Sequence, residues 1–346
     1  MSREARDYPF PFLFSSLLKG VIMKDTKGDT SRSKRPRRKV RLLIGILFVA
    51  LLLFVVITMA LNSRKPGALI LDKPVKEIKG TYFLKANQAL LRQMIQNWMP
   101  NDLFWPTVLL DNMPNFQIGQ LEVVRYNVRV LRDNLSRMRT TDKLDPFAEN
   151  AFTALSNNPH KWWFPSAESK WKEGLRNLEQ YYENLLQGQS QFYPRADNLV
   201  ELLEQYVSLM GGVNTRLINA PRDILHALSI EEVHGAPRGE PGKLIDIDIP
   251  WYEIDNNFYY AQGVAYALNE SFLAIRNDFA DVLVDKNSMA LVDKILEDFG
   301  RCYFEPLIVF NGDLDSIFAN HSLNLSGVFN DARQKIGSLT TALKQG

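Results

Sequence analysis

The stretch Leu42–Leu61 reads LLIGILFVALLLFVVITMAL, contains no charged residue and has Thr58 as its only polar member. At about 1.5 Å per residue, an α-helix of this length spans about 30 Å, the thickness of the hydrocarbon core of a bilayer. A helix in the core of a soluble protein usually keeps a polar stripe, and no face of this run has one. The stretch therefore predicts one transmembrane helix at residues 42–61.

Positive charge is concentrated on one side of this apolar run. Seven Lys or Arg residues lie between positions 32 and 41, whereas only Arg64 and Lys65 follow closely after it. Because basic residues that flank a membrane span remain in the cytoplasm, the pattern predicts a cytoplasmic segment at residues 1–41. The rest of the chain is then expected on the opposite side of the membrane.

A signal peptide that is removed after export is the alternative for this region, since it has the same charge polarity. Its apolar core is usually about 7–15 residues long, and the run here is longer, so the sequence favours an uncleaved anchor. Met23 opens a second start of translation that the sequence allows. A nucleic-acid-binding function for the basic cluster is disfavoured, because the predicted span begins directly after it.

Composition excludes several other classes of protein. Residues 1–64 contain 13 Lys+Arg and 4 Asp+Glu, out of 41 and 39 in the whole chain, so a short basic head precedes an acidic body. A hydrophobic fraction of 46% is sufficient for a folded core, which excludes a wholly disordered or collagen-like chain. The single cysteine, Cys302, excludes an intramolecular disulfide and any metal centre that needs several cysteines. Neither a cofactor nor a metal site is predicted.

Helical periodicity dominates the body. After a linker rich in Lys, Pro and Gly at residues 62–80, apolar residues between Ile118 and Arg139 follow each other at steps of three or four residues, which places them on one helix face. Similar stripes follow at residues 171–185, 199–209, 264–282, 291–299 and 325–343. The sequence therefore predicts a mainly α protein, with one N-terminal transmembrane helix before a helical-bundle periplasmic domain that has at most a minor β element.

Two details of this bundle are predicted from local sequence. Gly211 and Gly212 are expected to cap the C-terminus of the helix that contains residues 199–209. The joint between that helix and the preceding one, GQSQFYP, is short. The two helices are therefore expected to pack as an antiparallel hairpin.

Residues 231–250 interrupt the helical periodicity. Gly and Pro are dense in this segment and its last residues alternate between apolar and acidic, which predicts a loop and a short extended segment. The segment is interpreted as the boundary between a first helical subdomain at residues 81–230 and a second at residues 251–346. Its GAPRGEPGK stretch does not fit a phosphate-binding loop, because Pro237 and Leu244 stand where that motif needs Gly and Ser or Thr.

Four acidic residues lie close together around the end of this boundary segment: Asp246, Asp248, Glu253 and Asp255. Asp246 and Asp248 share one face of an extended segment, and two neighbouring carboxylates can bind a hard cation or act as an acid–base pair. The alternative is the solvated face of an edge strand, where charge prevents aggregation. The four residues are candidate catalytic residues of an enzyme that acts on an envelope glycan or lipid.

Three arginines form a candidate binding surface. Arg125, Arg129 and Arg132 repeat at steps of four and three residues, so their guanidinium groups share one helix face in a body that is otherwise acidic. Such a face can meet lipid headgroups, an anionic polymer or an acidic partner. A helix face that is merely solvated is the alternative.

Three adjacent aromatic residues form a second candidate binding surface: Trp162, Trp163 and Phe164. Three large neighbouring side chains cannot all point into one core. At least one of them is therefore expected to rest on the membrane surface or on a partner.

The stretch Asn87–Arg137, together with this aromatic triple, resembles the uncharacterised bacterial inner-membrane proteins grouped as domain-of-unknown-function family 2333. The resemblance extends from the apolar run to the C-terminus. It implies a bacterial inner-membrane location with a periplasmic domain. The family has no assigned activity, so the resemblance carries over no catalytic residue.

Taken together, these patterns predict a single-pass inner-membrane protein that presents a non-catalytic interaction or scaffold module in the periplasm. The expected partners are the lipid bilayer and another envelope protein or an envelope polymer, and no nucleic acid. The alternative is the glycan- or lipid-acting enzyme whose acidic residues are given above. A sensor is disfavoured, because a cytoplasmic part of about 40 residues is too small for an output domain.

Overall fold

The computed structural model describes residues 35–69, 71, 78–103, 106–139, 141–219, 254–306, 309 and 319–345. In these ranges the chain is all-α, without a strand, so the predicted mainly α fold is confirmed. The helices are α1 (Arg35–Asn62), α2 (Thr81–Gln96), α3 (Asn112–Val130), α4 (Pro146–Leu155), α5 (Ala167–Leu186), α6 (Ala196–Asn219), α7 (Ile254–Asp278), α8 (Ala280–Asp285), α9 (Met289–Cys302) and α10 (His321–Lys344). A π turn, Leu131–Leu135, continues α3.

Helix α1 contains the predicted apolar run and extends beyond it at both ends. Among the helices that the structure describes, α1 alone is long and apolar enough to cross a membrane, over Lys39–Asn62. Its large apolar side chains, such as Leu47, Phe48 and Ile57, are exposed over more than half of their area. A core helix of a soluble protein buries such side chains, so the core-helix alternative does not fit α1.

The chain divides into two compact units inside α1, Met1–Phe54 and Val55–Gly346. In the second unit, which we call the body, α7 packs against α2, α3 and α9, while α6 packs against α10 and α4 against α5. Helices from both predicted subdomains thus contribute to one hydrophobic core. The predicted boundary between the subdomains, residues 231–250, lies outside the described residues.

Side-chain caps explain where several helices begin. Asp145 Oδ1 accepts hydrogen bonds from the backbone N–H groups of Phe147 and Ala148, and Pro146 occupies the first position of α4. Ser166 and Asn320 cap α5 and α10 in the same way. These residues satisfy N–H groups that have no partner within the helix, so the helix starts are fixed by local sequence.

Helices α3 and α7 cross with their backbones in contact at two glycines. A Cβ atom added to Gly119 would lie 2.3 Å from the carbonyl oxygen of Tyr260, and one added to Gly263 would lie 2.0 Å from that of Phe116. Only glycine permits this approach. The crossing brings the predicted apolar stripe of α7 into the core, where Val264, Leu268, Phe272 and Ile275 are fully buried.

The predicted hairpin of α5 and α6 is wrong. Helix α5 packs mainly against α4 and α2, whereas α6 packs mainly against α10. At the contact of α5 with α4, Gly174 leaves room for Leu155, whose Cγ atom would lie 2.9 Å from an added Cβ. A short joint brings two helices close in sequence, but the fit of their apolar faces to other helices decided the pairing.

The predicted cap at Gly211 and Gly212 is also wrong, since α6 continues through both residues to Asn219. Gly211 faces the guanidinium of Arg333 on α10, which an added Cβ would approach to 3.1 Å. Arg333 Nε donates a hydrogen bond to the carbonyl oxygen of Val207, one turn earlier. This glycine therefore serves the packing of α10 on α6 instead of ending the helix.

The two ends of the body are defined here by the two termini of α2. At the end of α2, Asn97 Nδ2 donates a hydrogen bond to Oδ1 of Asn62, the last residue of α1, at 2.9 Å. At its start, the N–H of Phe83 donates to Asp278 Oδ2 at 2.7 Å, next to α8. We call these the exit end and the far end, and the 16 residues of α2 separate them by about 24 Å.

Candidate functional site

The chain that follows α1 is fastened to the body. Lys65 Nζ donates hydrogen bonds to Gln262 Oε1 at 2.5 Å and to the carbonyl oxygen of Phe304 at 3.2 Å. Tyr266 and Tyr303 donate their hydroxyl groups to the carbonyl oxygens of Gly67 and Pro66, and Glu270 Oε1 accepts from the N–H of Leu69. Residues 64–69, which we call the strap, form the first part of the predicted linker, and they lie in fixed positions on α7.

Two titratable groups of the strap contact are shifted by burial. The ammonium of Lys65 lies 5.1 Å from the ring centre of Tyr259 and 5.5 Å from that of Tyr303, and burial lowers the pKa of Lys65 to about 8 despite the opposing charge of Glu305. Glu270 is 1% exposed, and its burial raises its pKa. The strap therefore rests on polar groups that the apolar periodicity of α7 does not reveal.

The aromatic triple is exposed to solvent. The exposed fractions of Trp162, Trp163 and Phe164 are 54%, 63% and 86%. Their rings contact one another edge to face, with centre-to-centre distances of 5.1 Å and 5.9 Å along the triple. The sequence predicted that at least one ring lies outside the core, and in the structure all three do.

The loop that carries these rings, residues 156–166, is the aromatic loop, and hydrogen bonds hold its stem. Trp98 Nε1 donates to the carbonyl oxygen of Pro159 at 3.1 Å, and Asn101 Nδ2 donates to that of Lys161 at 3.2 Å. The N–H of Ala167 also donates to the carbonyl oxygen of Lys161, at 2.7 Å. The first two bonds fasten the aromatic loop to residues 97–103 at the exit end, and the third closes the loop at its base.

The three arginines of α3 and its π turn have different environments. Arg125 donates to the carbonyl oxygens of Leu155 and Asn157, which satisfies the C-terminus of α4 and the start of the aromatic loop. Arg132 is paired with Asp133 at 2.7 Å, and its guanidinium lies 3.9 Å from the ring centre of Phe152. Arg125 and Arg132 therefore hold parts of the fold together.

Arg129 is the exposed member of the three, and Asp133 lies 4.0 Å away. It borders a cleft of about 240 Å³ between α3 and α4, whose lining residues are Glu122, Arg125, Tyr126, Arg129, Phe152 and Ser156. The cleft offers a cationic rim beside an aromatic ring, a chemistry that suits an anionic group. Binding at this arginine face remains a prediction.

Of the four acidic candidates, the structure describes only Asp255. Asp246, Asp248 and Glu253 lie outside the described residues, and Asp255 lies in the first turn of α7. Burial, and then the nearby carboxylate of Asp111, raise the pKa of Asp255. Catalysis by these four residues therefore remains a prediction.

Sequence reasoning missed a buried polar cluster that joins four helices. Asn127 Nδ2 of α3 donates to Asn87 Oδ1 of α2 and to Ser271 Oγ of α7, both at 2.9 Å, and the hydroxyl of Tyr206 on α6 donates to Asn127 Oδ1. Asn127 is fully buried. The one sign of this in the sequence is its position directly before Val128 of the predicted apolar stripe. Because its members bond to one another, the cluster fixes the register of the helices.

A cleft of about 500 Å³ lies between α2 and α5. Charged side chains dominate its lining, with Lys85, Arg92, Glu179 and Glu183 beside Tyr182. Arg92 and Glu179 pair across it at 2.6 Å. In the described part of the chain, no three His, Cys, Asp or Glu residues are placed to hold a metal ion together.

The fold and these surfaces define an all-α protein in which one N-terminal helix, able to cross a membrane, leads directly into a strapped helical body. The chain belongs to the family described as an uncharacterized protein conserved in bacteria (DUF2333), whose model matches residues 36–346. The family predicted from the sequence is thereby confirmed, whereas the inner-membrane location that the resemblance implies stays a prediction. Neither a curated protein nor a solved structure matches the chain.

Proposed function

We propose that this protein is a single-pass protein of the bacterial inner membrane, with its N-terminus in the cytoplasm and its helical body in the periplasm. Helix α1 has the length and composition of a membrane span. The excess of basic residues before it supports this orientation, because basic residues flanking a span stay in the cytoplasm.

The body then acts as a non-catalytic interaction or scaffold module, and the strap is the observation that carries this proposal. A flexible linker lets a domain move over a wide volume, whereas a bonded segment holds it at one place. Here the hydrogen bonds of residues 65–69 to α7 and Phe304 begin within three residues of the end of α1. The strap thus belongs to the folded body, as expected of a module built for interaction.

The cleft at Arg129 is the surface proposed to meet another envelope protein or an envelope polymer. Arg125 is paired with Glu122, so the exposed guanidinium of Arg129 beside the aromatic lining is the group that favours an anionic partner. The partner is defined here by that charge alone.

Reporter fusions test the proposed topology. Alkaline phosphatase, which is active only outside the cytoplasm, is fused after Gly346, and a fluorescent protein that matures only in the cytoplasm is fused at the same place in a second strain. We expect an active phosphatase and a dark fluorescent protein, because the basic segment retains the N-terminus inside. The same two reporters fused after Lys39, before the apolar run, serve as the control and should give the opposite pattern. A fluorescent C-terminal fusion, or release of the native protein from membranes by carbonate, would refute the proposal.

A further inference from the structure

We propose that the aromatic loop seats Trp162, Trp163 and Phe164 in the headgroup layer of the bilayer that α1 crosses. This inference rests on the proposed membrane anchoring and adds to it a second, peripheral contact with lipid. The proposed binding partner of the aromatic triple is the lipid surface.

The first argument is the distribution of exposed apolar side chains. Outside α1, the described large apolar side chains that expose more than half of their area are Leu103, Met138, Trp162, Trp163, Phe164 and Val284. Four of these six lie in two segments, residues 97–103 and the aromatic loop, residues 156–166. Isolated exposed apolar residues are ordinary, but three exposed rings in contact with one another, as in the aromatic triple, mark an interaction surface.

The second argument is where these loops lie in the body. Asn97 bonds to Asn62, where the chain leaves α1, and the next residue, Trp98, bonds to Pro159 of the aromatic loop. Asn101 bonds to Lys161, directly before Trp162. Three hydrogen bonds therefore connect the last residue of the span to the aromatic triple, and both belong to the exit end.

The third argument is chemical. Trp is enriched where a protein meets the boundary between lipid and water, because its ring is apolar and its N–H can still bond to water or headgroups. Lys161 precedes the triple in sequence, and an ammonium group beside the rings is attracted to anionic headgroups. A protein partner could use the same rings, but the location beside the chain's exit from α1 favours lipid.

The fourth argument is that the stem of the aromatic loop is held in place. Arg125 holds the carbonyl groups of Leu155 and Asn157 on one side, and the N–H of Ala167 bonds back to Lys161 on the other. The rings thus lose little conformational freedom when they enter the headgroup layer, which lowers the cost of binding.

The experiment places a fluorophore on the full chain in vesicles of phosphatidylethanolamine and phosphatidylglycerol. An environment-sensitive dye is attached to the Phe164→Cys variant, and lipids carry a spin-label quencher at either the top or the bottom of the acyl chain. The native thiol of Cys302 will not compete for the dye, because it is fully buried and burial raises its pKa to about 12. We expect the shallow quencher to lower the fluorescence about twofold and the deep quencher to have less effect.

Two further variants serve as matched controls. Leu52→Cys places the dye inside the apolar run and should be quenched by the deep label. Val284→Cys places it on α8 at the far end, where the side chain is 64% exposed, and it should stay bright. Adding Trp162→Ser and Trp163→Ser to the Phe164→Cys variant should abolish the shallow quenching, while circular dichroism shows unchanged helix content.

Each contrary result has a distinct meaning. If Leu52→Cys is quenched and Phe164→Cys is not, the lipid contact of the aromatic loop is refuted and the anchor stands. If neither is quenched, the anchor itself is refuted, and this inference with it. If Val284→Cys is quenched as strongly as Phe164→Cys, the body adsorbs without specificity and the inference fails.

Discussion

At the scale of single residues, Gly119 and Gly263 decide how closely α3 and α7 approach. The sequence shows them only as small residues, Gly119 within one apolar stripe and Gly263 directly before another. Their role follows from the backbone of the opposite helix, which occupies the space that a Cβ atom would need. The carbonyl group that blocks each position cannot rotate away as a side chain could.

The Gly263→Ala substitution is expected to destabilise the body by about 3 kcal/mol, because the methyl group would overlap the carbonyl of Phe116 and force the helices apart. The matched control is Gly327→Ala in α10, where nothing lies within 4 Å of the added atom. It should stabilise the body by about 0.5–1 kcal/mol, through the higher helix propensity of Ala. Urea unfolding in detergent, followed by tryptophan fluorescence, measures both, and equal midpoints would contradict the proposed backbone contact.

Asp278 is a second residue whose role is tertiary, since its carboxylate accepts the N–H of Phe83 at the start of α2. It is 2% exposed, and burial raises its pKa from 3.8 to about 6, although the backbone N–H groups and Lys79 act in the opposite direction. The folded state therefore favours the protonated carboxyl. Its contribution to stability is complete below about pH 4 and is lost as the pH rises through about 6.

We expect the free energy of unfolding to fall by about 2 kcal/mol between pH 4 and pH 7 from this group, given about 1.4 kcal/mol for each pKa unit. Asp278→Asn should remove that part of the pH dependence while keeping an oxygen to accept the N–H of Phe83. Asp281→Asn, at an exposed acid of the same end, is the control and should keep the wild-type slope. Unfolding midpoints across this pH range measure the effect, and an unchanged slope in Asp278→Asn would refute it.

At the scale of secondary-structure elements, the strap shows how an irregular segment becomes part of the fold. Residues 64–69 have no helical hydrogen bonds of their own. Three of their backbone groups bond to side chains, two on α7 and one on Tyr303, directly after α9. Each hydrogen bond contributes about 1 kcal/mol, so the strap stays docked only while several are made together.

The double substitution Tyr266→Phe and Tyr303→Phe should loosen the strap, because it removes the donors to Gly67 and Pro66. A loss of about 2 kcal/mol raises the undocked fraction about thirtyfold, so trypsin should cleave after Arg64 faster by about that factor. Tyr193→Phe, at the far end, changes a tyrosine outside the strap contact and should cleave at the wild-type rate. Equal cleavage rates in all three proteins would show that the strap does not depend on these hydroxyl groups.

At the scale of the whole molecule, charge and apolarity are separated along the chain. A basic head, an apolar helix and an acidic body follow one another, and this order supports the proposed orientation. In the body, α7 lies among helices from both halves of the sequence. Cutting the chain between the predicted subdomains would therefore divide one core.

The sequence by itself determined α1, the mainly α class and the buried face of most helices, since helical periodicity and a long apolar run are local properties. It also identified Arg125 through the repeat of arginines on one helix face, and Trp162 through the two aromatic residues that follow it. It could not show that Arg125 holds the stem of the aromatic loop, since the partners of Arg125 lie about 30 residues away.

The tertiary structure alone decided that α5 packs against α4, that α6 continues through Gly211, that the strap docks on α7 and that the aromatic triple lies at the exit end. Each of these depends on contacts between residues far apart in the chain, such as Lys65 and Gln262 or Asn62 and Asn97. The spacing of apolar residues determines which face of each helix is apolar, but many arrangements of the helices would bury these faces. The packing of all helices together selects one of them.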